Sequence, residues 1–386
     1  MDRVHEPFIL ATAMLGFVPS VDRVTRSAAN VWDMTVGPGL ADRTPTRSHV
    51  IDEGPQRIVR RFRPTRRARW HAPVLLVPPL AAPASCFDLW RGCSLAGHLV
   101  AAGYPTYLVD YGSIAFSDRQ LGLEHWVDDV IPSAVEVVSD DAGELPVHLV
   151  GWCLGGIMST LAAAGNDLPV RSIAMVASPF DFGKVRTMAP IRRLAELTGG
   201  RLVTGLYQAL GGAPAPLVSL GFQMTALDRR ITKPIFTLRN LDRRELLAHV
   251  EAIDRYMANM LAYPGRTFAQ LYHRFFRINE LAGGRVELSE RVIDLADVDV
   301  PVLVVAGEDD VLAPPDAVLP VVDLLRGAPT VQVERFAGGH LGVLTGRGAR
   351  STTWPALDRF LRAHDVEPQA VADAAARADA REPAAA

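Results

Sequence analysis

The sequence predicts an α/β class: a mostly parallel central sheet, covered by helices on both faces and interrupted by a helical cap insertion. Three observations predict it. Short β-prone apolar runs alternate with helical periodicities at both ends of the 386-residue chain, the pattern of strands joined by crossover helices. Runs such as Val74-Leu75-Leu76-Val77 are apolar throughout, which suits strands buried on both faces. From about Phe180 to Leu288 the alternation stops and only helical patterns remain. An interruption of that kind between two sheet halves belongs over the C-terminal edge of the sheet.

Each element has its own signal. Gln56–Arg63 alternates weakly and reads as an edge strand. Arg57, Arg60, Arg61, Arg63, Arg66, Arg67 and Arg69 crowd it. They read as solvated charge that guards an edge against pairing, with coenzyme phosphates or a polyanion as the sharper alternative. Val74–Val77 is a buried strand ended by Pro78-Pro79, and Leu89–Ala102 a helix closed by Gly103. Tyr107–Asp110 (strand), Leu121–Val138 (helix), Val147–Val150 (strand), Ile157–Ala164 (helix) and Ile173–Ala177 (strand) complete the first half. Ile191–Leu197, Arg243–Leu261 and Phe268–Ile278 carry the helical signal of the cap. The second half reads Val302–Ala306 (strand), Ala317–Leu325 (helix), Val331–Phe336 (strand) and Pro355–Ala363 (helix). The expected division is therefore an N-terminal helical segment over 1–55, a body over 56–179 and 289–365, and a cap over 180–288. The Ala-rich tail 366–386 reads as disordered.

Composition excludes several classes. The chain is 49% apolar and 22% charged with a formal net charge of −3, which rules out a disordered chain and gives no reason to expect nucleic acid as partner. Cys86, Cys93 and Cys153 are an odd number, so they form no disulfide framework and fit a reducing cytoplasm. No CxxC pair occurs and the ten histidines are scattered, so no metal site is expected. The apolar stretch Phe8–Val18 is shorter than the roughly 20 residues that span a bilayer. Asp2 and Glu6 spoil the basic start of a signal peptide. Phe8–Trp32 reads as one or two surface helices packed on the body, the sharper alternative being contact with a lipid or polymer inclusion.

The chemistry concentrates in HLVGWCLGGIMSTLAAA. A strand leads into Gly151-Trp152-Cys153-Leu154-Gly155-Gly156 and a helix follows. This is the nucleophile-elbow pattern with cysteine as nucleophile. The nucleophile occupies a strained turn, so the positions two before and two after it must be small. Cys153 then stands at a helix N-terminus, whose dipole favours a thiolate, and the Leu154 N–H points at the oxyanion of a tetrahedral intermediate. Such an elbow needs an acid and then a histidine later in the chain. Of Glu308, Asp309 and Asp310, which follow the strand PVLVVAG, Asp310 has the usual placement. His340 stands among glycines after the strand VQVERF. His340 is the expected base, with Asp310 fixing its tautomer. The second oxyanion donor is expected from the loop after Val77, at the N–H of Leu80 or Ala81.

With these pieces in order, the chain resembles the polyhydroxyalkanoate synthases, cysteine-dependent members of the α/β-hydrolase superfamily. PVLLVPPL, YLVDYG, GWCLGG, ASPFDF, YPGRTFAQLYHRFFRINELAGGRVELSERVIDLADVDVPVLVVAGEDD and AGGHLGVLTGRGARSTTWPAL match in sequence order, and the length resembles the shorter, two-subunit synthases. Val311 stands where the family carries His, Ala82 where Asn is common, and Tyr256 and Asn259 where Trp and Asp are frequent. The resemblance implies an α/β-hydrolase fold and an acyltransferase that polymerises 3-hydroxyacyl-CoA through an acyl group on Cys153. Hydrolysis of thioester, lactone or polyester bonds by the same triad is the alternative. It implies no bound cofactor, CoA thioester as substrate, a second synthase subunit or a homodimer as partner, and a cytoplasmic, granule-associated location without a transmembrane segment.

Overall fold

The structure is a computed structural model and describes residues 20–65, 71–189, 193, 197, 205, 210–224, 227–367, 369, 370, 372–374 and 377. Phe8–Val18, the arginines Arg66, Arg67 and Arg69, most of Ile191–Leu197 and the end of the tail lie outside these residues.

Eight strands form one sheet: β1 (Ser48–Gly54), β2 (Arg57–Phe62), β3 (Val74–Val77), β4 (Thr106–Asp110), β5 (Val147–Trp152), β6 (Val170–Val176), β7 (Val302–Gly307) and β8 (Val331–Phe336). Their spatial order is β1-β2-β4-β3-β5-β6-β7-β8. β2 runs antiparallel to β1 and β4, and every other pairing is parallel. From β3 the chain first goes outward to β4, then returns to the other side for β5. That reversal makes the C-terminal ends of β3 and β5 a topological switch point, where open α/β sheets place their ligands. The all-apolar runs behave as expected: Val74, Leu75, Leu76 and Val77 are completely buried, as are Val302, Leu303, Val304 and Val305.

Several expectations need correction. β2 is an inner strand, because β1, with the polar sequence SHVIDEG, pairs along its outside. Two of the arginines there are held by carboxylates: Arg57 pairs with Asp52 at 2.8 Å and Arg61 with Asp141 at 2.9 Å. The helix expected from Leu89 begins only at Leu95. Before it, Asp88–Trp90 folds back on Cys93–Ser94 as a tight antiparallel pair, and the Ser94 hydroxyl caps the helix by accepting from the Gly97 N–H at 2.8 Å. The helix after β4 is broken by a π-turn at Trp126–Val130.

The cap is not purely helical. Its helices Ala215–Met224, Leu227–Arg239 and Arg244–Ala258 are joined by a short antiparallel pair, Gly212–Ala213 with Tyr263–Pro264. A hairpin, Arg285–Leu288 with Arg291–Asp294, returns the chain to the body. Entry and exit of the cap are tied at Asn279, whose side chain donates to Asp181 Oδ1 at 2.8 Å and accepts from the Phe182 N–H at 2.9 Å. The start of the tail also departs from expectation: residues 372–374 are helical, and Ala374 is buried against Leu145.

The N-terminal helix Val21–Thr35 is held by polar contacts rather than by an apolar face. Asn30 Nδ2 donates to the Leu241 carbonyl at 2.7 Å, and Arg244 pairs with Asp33. Val21, Val24, Val31, Trp32 and Met34 remain exposed. Among the described residues no helix is long and apolar enough to cross a membrane, and no cluster of His, Cys, Asp or Glu has the geometry of a metal site.

The sheet interior sets stability. Leu76→Ala, at a fully buried position of β3, is expected to lower unfolding free energy by about 2–5 kcal/mol in denaturant titrations. Val292→Ala, 58% exposed, is expected to change it by less than about 0.5 kcal/mol.

Candidate active site

The site is built on strand ends at the switch point. Cys153 stands between β5 and the helix Leu154–Gly165 with φ 54° and ψ −122°. A non-glycine residue rarely adopts this backbone. The turn is tight enough to explain the glycine spacing directly. A Cβ on Gly155 would lie 2.2 Å from the Val77 carbonyl oxygen, and one on Gly151 would lie 2.5 Å from Gly156 Cα. The Cys153 N–H is anchored on the Val176 carbonyl at 2.9 Å. The thiol is therefore pushed out of the sheet while the backbone beneath it is fixed on both sides.

Asp310 and His340 arrive on the loops after β7 and β8. His340 Nδ1 lies 2.8 Å from Asp310 Oδ2. The other carboxylate oxygen of Asp310 accepts from the N–H groups of Leu312 and Ala313, both at 2.8 Å. The neighbouring acids are occupied elsewhere. Glu308 makes a two-pronged pair with Arg335 at 2.8 and 3.0 Å, and Asp309 accepts from the Gly338 N–H at 3.1 Å. Of the three acids, Asp310 alone is bonded to His340.

The side chain of His340 is 10% exposed and that of Asp310 is fully buried. Burial disfavours the imidazolium, but the Cys153 sulfur and the Asp310 carboxylate beside it prevail and push the His340 pKa up to about 10. Burial likewise opposes ionisation of Asp310. His340 and the two backbone N–H donors override it and hold the carboxyl below its ordinary value. The Cys153 sulfur is close enough to the imidazole to favour its protonated form. Cys153, His340 and Asp310 are thus brought together at the strand ends, as the sequence pattern predicts.

The loop expected to supply a second oxyanion donor is packed on the elbow, since the Val77 and Pro78 carbonyls are the nearest atoms to the missing Gly155 side chain. Leu80 and Ala81 are buried, and Ala81 has φ 59°. The Tyr111 hydroxyl donates to the Pro78 carbonyl at 3.0 Å, and the Leu261 N–H donates to the Ala81 carbonyl at 2.9 Å. The Leu154 N–H opens a helix and so has no partner within it.

Three residues escaped sequence reasoning as parts of the site. Trp152 donates from Nε1 to the His340 carbonyl at 3.1 Å, and its ring lies 5.1 Å from the imidazole. Tyr256 and Tyr263 come from the cap, and both interact electrostatically with Cys153. Trp152 was legible only as a variable position of the elbow. The two tyrosines reach the site through cap packing, which no local pattern reveals.

A strained cysteine at a strand–helix turn, with a buried acid–histidine pair from two later strand ends, defines an α/β-hydrolase-fold protein with a cysteine in the nucleophile position. Residues 72–213 match the α/β-hydrolase fold family. A lipase solved in its open form superposes with a TM-score of 0.52 at 14% identity, over 82% of this chain and 98% of that one. A carboxyl esterase from Bacillus coagulans gives 0.51 at 13% identity, again over 82% and 98%. These two likenesses concern the fold alone.

The sequence narrows the family. The chain is 26% identical to the poly(3-hydroxyalkanoate) polymerase subunit PhaC of Haloferax mediterranei over 87% of its length and 67% of the relative's. It is 25% identical to that of Synechocystis sp. over 79% and 81%, and 26% identical to that of Allochromatium vinosum over 75% and 80%. It spans 59% of the corresponding Haloarcula marismortui protein. These relatives and the fold-family match support a polyhydroxyalkanoate synthase of the α/β-hydrolase superfamily.

The pair His340–Asp310 fixes a pH signature. A carboxyl depressed below its ordinary 3.8 contributes stability that is lost as pH falls through the folded value. A histidine raised from 6.5 to about 10 contributes stability that is complete below 6.5 and is lost as pH rises toward about 10. The stability difference between the wild type and Asp310→Asn is therefore expected to be largest at about pH 4–6.5 and to shrink on either side, as read by denaturant midpoints across pH.

Proposed function

We propose that this chain polymerises 3-hydroxyacyl groups from CoA thioesters, with Cys153 as nucleophile, His340 as base and Asp310 as its orienting acid. The observation that carries the reading is the cysteine at the strained elbow with the buried His340–Asp310 pair against it. The polymerase relatives support the substrate class.

The steps follow from the geometry. His340 takes the Cys153 proton, and the sulfur attacks the thioester carbonyl. The oxyanion that forms is held by the Leu154 N–H and by that of Leu80 or Ala81. When the carbonyl re-forms, the bond to the CoA sulfur breaks, and His340 returns the proton to that leaving thiolate. The acyl group now sits on Cys153 as a thioester. His340 then takes a proton from the hydroxyl of a monomer or growing chain, whose oxygen attacks the same carbonyl. An ester forms and the Cys153 thiol is restored. Exchanging one thioester for another is nearly balanced in energy, so the acyl-enzyme can wait for its acceptor. The near-complete burial of His340 and Asp310 favours that acceptor by limiting water. No bound cofactor is needed for any of these steps.

Purified protein given 3-hydroxybutyryl-CoA is expected to release thiol and yield oligomer by mass spectrometry. Cys153→Ala is expected to abolish release, and Asp310→Asn to reduce it by roughly 10²–10⁴-fold. Free hydroxy acid without oligomer would replace polymerisation by hydrolysis, and unchanged release by Cys153→Ala would remove the nucleophile assignment.

Placement at a polymer surface in the cytoplasm, beside a second subunit or another copy, completes the proposal. The exposed Val24, Val31 and Trp32 on the N-terminal helix support contact with an apolar polyester. Val31→Glu combined with Trp32→Glu is expected to cut co-sedimentation with amorphous polyester particles at least severalfold while leaving thiol release in solution intact. Unchanged co-sedimentation would move the contact to another surface.

A further inference from the structure

Tyr256 carries a hydroxyl that the fold leaves unused. The residue lies near the end of the cap helix Arg244–Ala258 and is 5% exposed. Its Oη is buried, and among the described residues it has no hydrogen-bond partner; the Cys86 thiol that faces it is a poor acceptor. A buried phenol whose polar neighbour is a thiol recovers little of its desolvation cost. Such a group points to a ligand atom.

Its surroundings say which ligand. The Tyr256 ring centroid is 6.4 Å from that of Trp152, the residue before Cys153, and the Trp152 ring is itself 5.1 Å from His340. The chain just beyond the Tyr256 helix is tied to the oxyanion loop by the Leu261 N–H on the Ala81 carbonyl at 2.9 Å. These contacts put Tyr256 on the cap side of the elbow, among the residues that border Cys153. Burial, together with the neighbouring thiols of Cys86 and Cys153, holds its pKa well above the usual phenol value, so it is a neutral group able both to donate and to accept. The thioester carbonyl already has backbone N–H donors on the body side, at Leu154 and at Leu80 or Ala81. In a 3-hydroxyacyl group the remaining polar atom is the hydroxyl two carbons further along.

We propose that Tyr256 is a specificity-determining residue whose hydroxyl hydrogen-bonds the 3-hydroxyl oxygen of the acyl group bound to Cys153. It selects 3-hydroxyacyl thioesters over plain acyl thioesters. A site that leaves a buried polar group unpaired when the substrate hydroxyl is missing discriminates strongly against that analogue. The inference rests on the acyl-CoA reading of the site.

The experiment compares the first burst of CoA release, which needs no acceptor, from 3-hydroxybutyryl-CoA and from butyryl-CoA. The wild type is expected to prefer the hydroxylated thioester, and Tyr256→Phe to reduce that preference about 10–100-fold. Thermal unfolding of Tyr256→Phe is expected at the wild-type temperature or above it, because the lost hydroxyl had no partner to leave behind. An unchanged preference in Tyr256→Phe overturns the proposal. So does an equal loss on both thioesters, which with a lower unfolding temperature marks a structural role. No burst from either thioester with the wild type would instead overturn the acyl-CoA reading, and this inference with it.

Discussion

The whole arrangement depends on one close backbone approach: the turn at Cys153 pressed against the end of β3. A Cβ on Gly155 would come within 2.2 Å of the Val77 carbonyl, so the start of the elbow helix rests directly on the loop that holds Leu80 and Ala81. That contact fixes Cys153 and the Leu80–Ala81 loop relative to each other without any side chain between them. It is held at a cost. Cys153 at φ 54° and Ala81 at φ 59° are both non-glycine residues with positive φ, as is Ala177 just after β6 at φ 51°. Each such residue costs on the order of 1–3 kcal/mol and persists only where its surroundings over-determine it. Here the surroundings are the ladders of the buried parallel strands, with the Cys153 N–H itself bonded to the Val176 carbonyl.

The electrostatics follow from the same packing. The His340–Asp310 pair is buried, yet Asp310 satisfies its second oxygen through two backbone N–H groups of its own loop. A carboxylate so held stays ionised in a dry site, and its charge is available to the imidazole. The sequence Asp310-Val311-Leu312-Ala313 thus does two jobs, since the turn that presents the acid also solvates it. Trp152 locks the other end, bonding the His340 carbonyl and lying against the ring. The base is oriented through both its side chain and its backbone.

What was legible in the sequence is what short-range physics dictates. The elbow is legible because a strained turn demands small residues at fixed spacing around Cys153. Asp310 and His340 are legible because they follow strands apolar enough to be recognised, Val302–Gly307 above all. The inner strands are legible because they are apolar throughout. β1 was not, because SHVIDEG covers the outside of the sheet and has no apolar face to display. The start of the helix at Leu95 was hidden by an apolar run through Phe87-Asp88-Leu89-Trp90, which fits a hairpin as well as a helix. The exposed apolar side of Val21–Thr35 reads in sequence as a buried side. Its actual attachment is by Asn30 and Asp33, which leave no periodic trace. Tyr256 and Tyr263 reach Cys153 only because the cap folds back over the sheet.

That last point bears on why a cysteine occupies this turn. In a serine elbow the acyl-enzyme is an ester, and deacylation by water is the ordinary outcome. A cysteine thioester keeps the acyl group as reactive as it was on its carrier, so its fate depends on which nucleophile reaches it first. Two phenols of the cap, Tyr256 and Tyr263, are close enough to Cys153 to interact with it electrostatically. On the proposed reading, the Tyr256 hydroxyl holds a polar acyl group still. On that reading, selection of the acyl group comes from the cap. A substitution there is felt in what the enzyme makes before it is felt in whether the triad assembles.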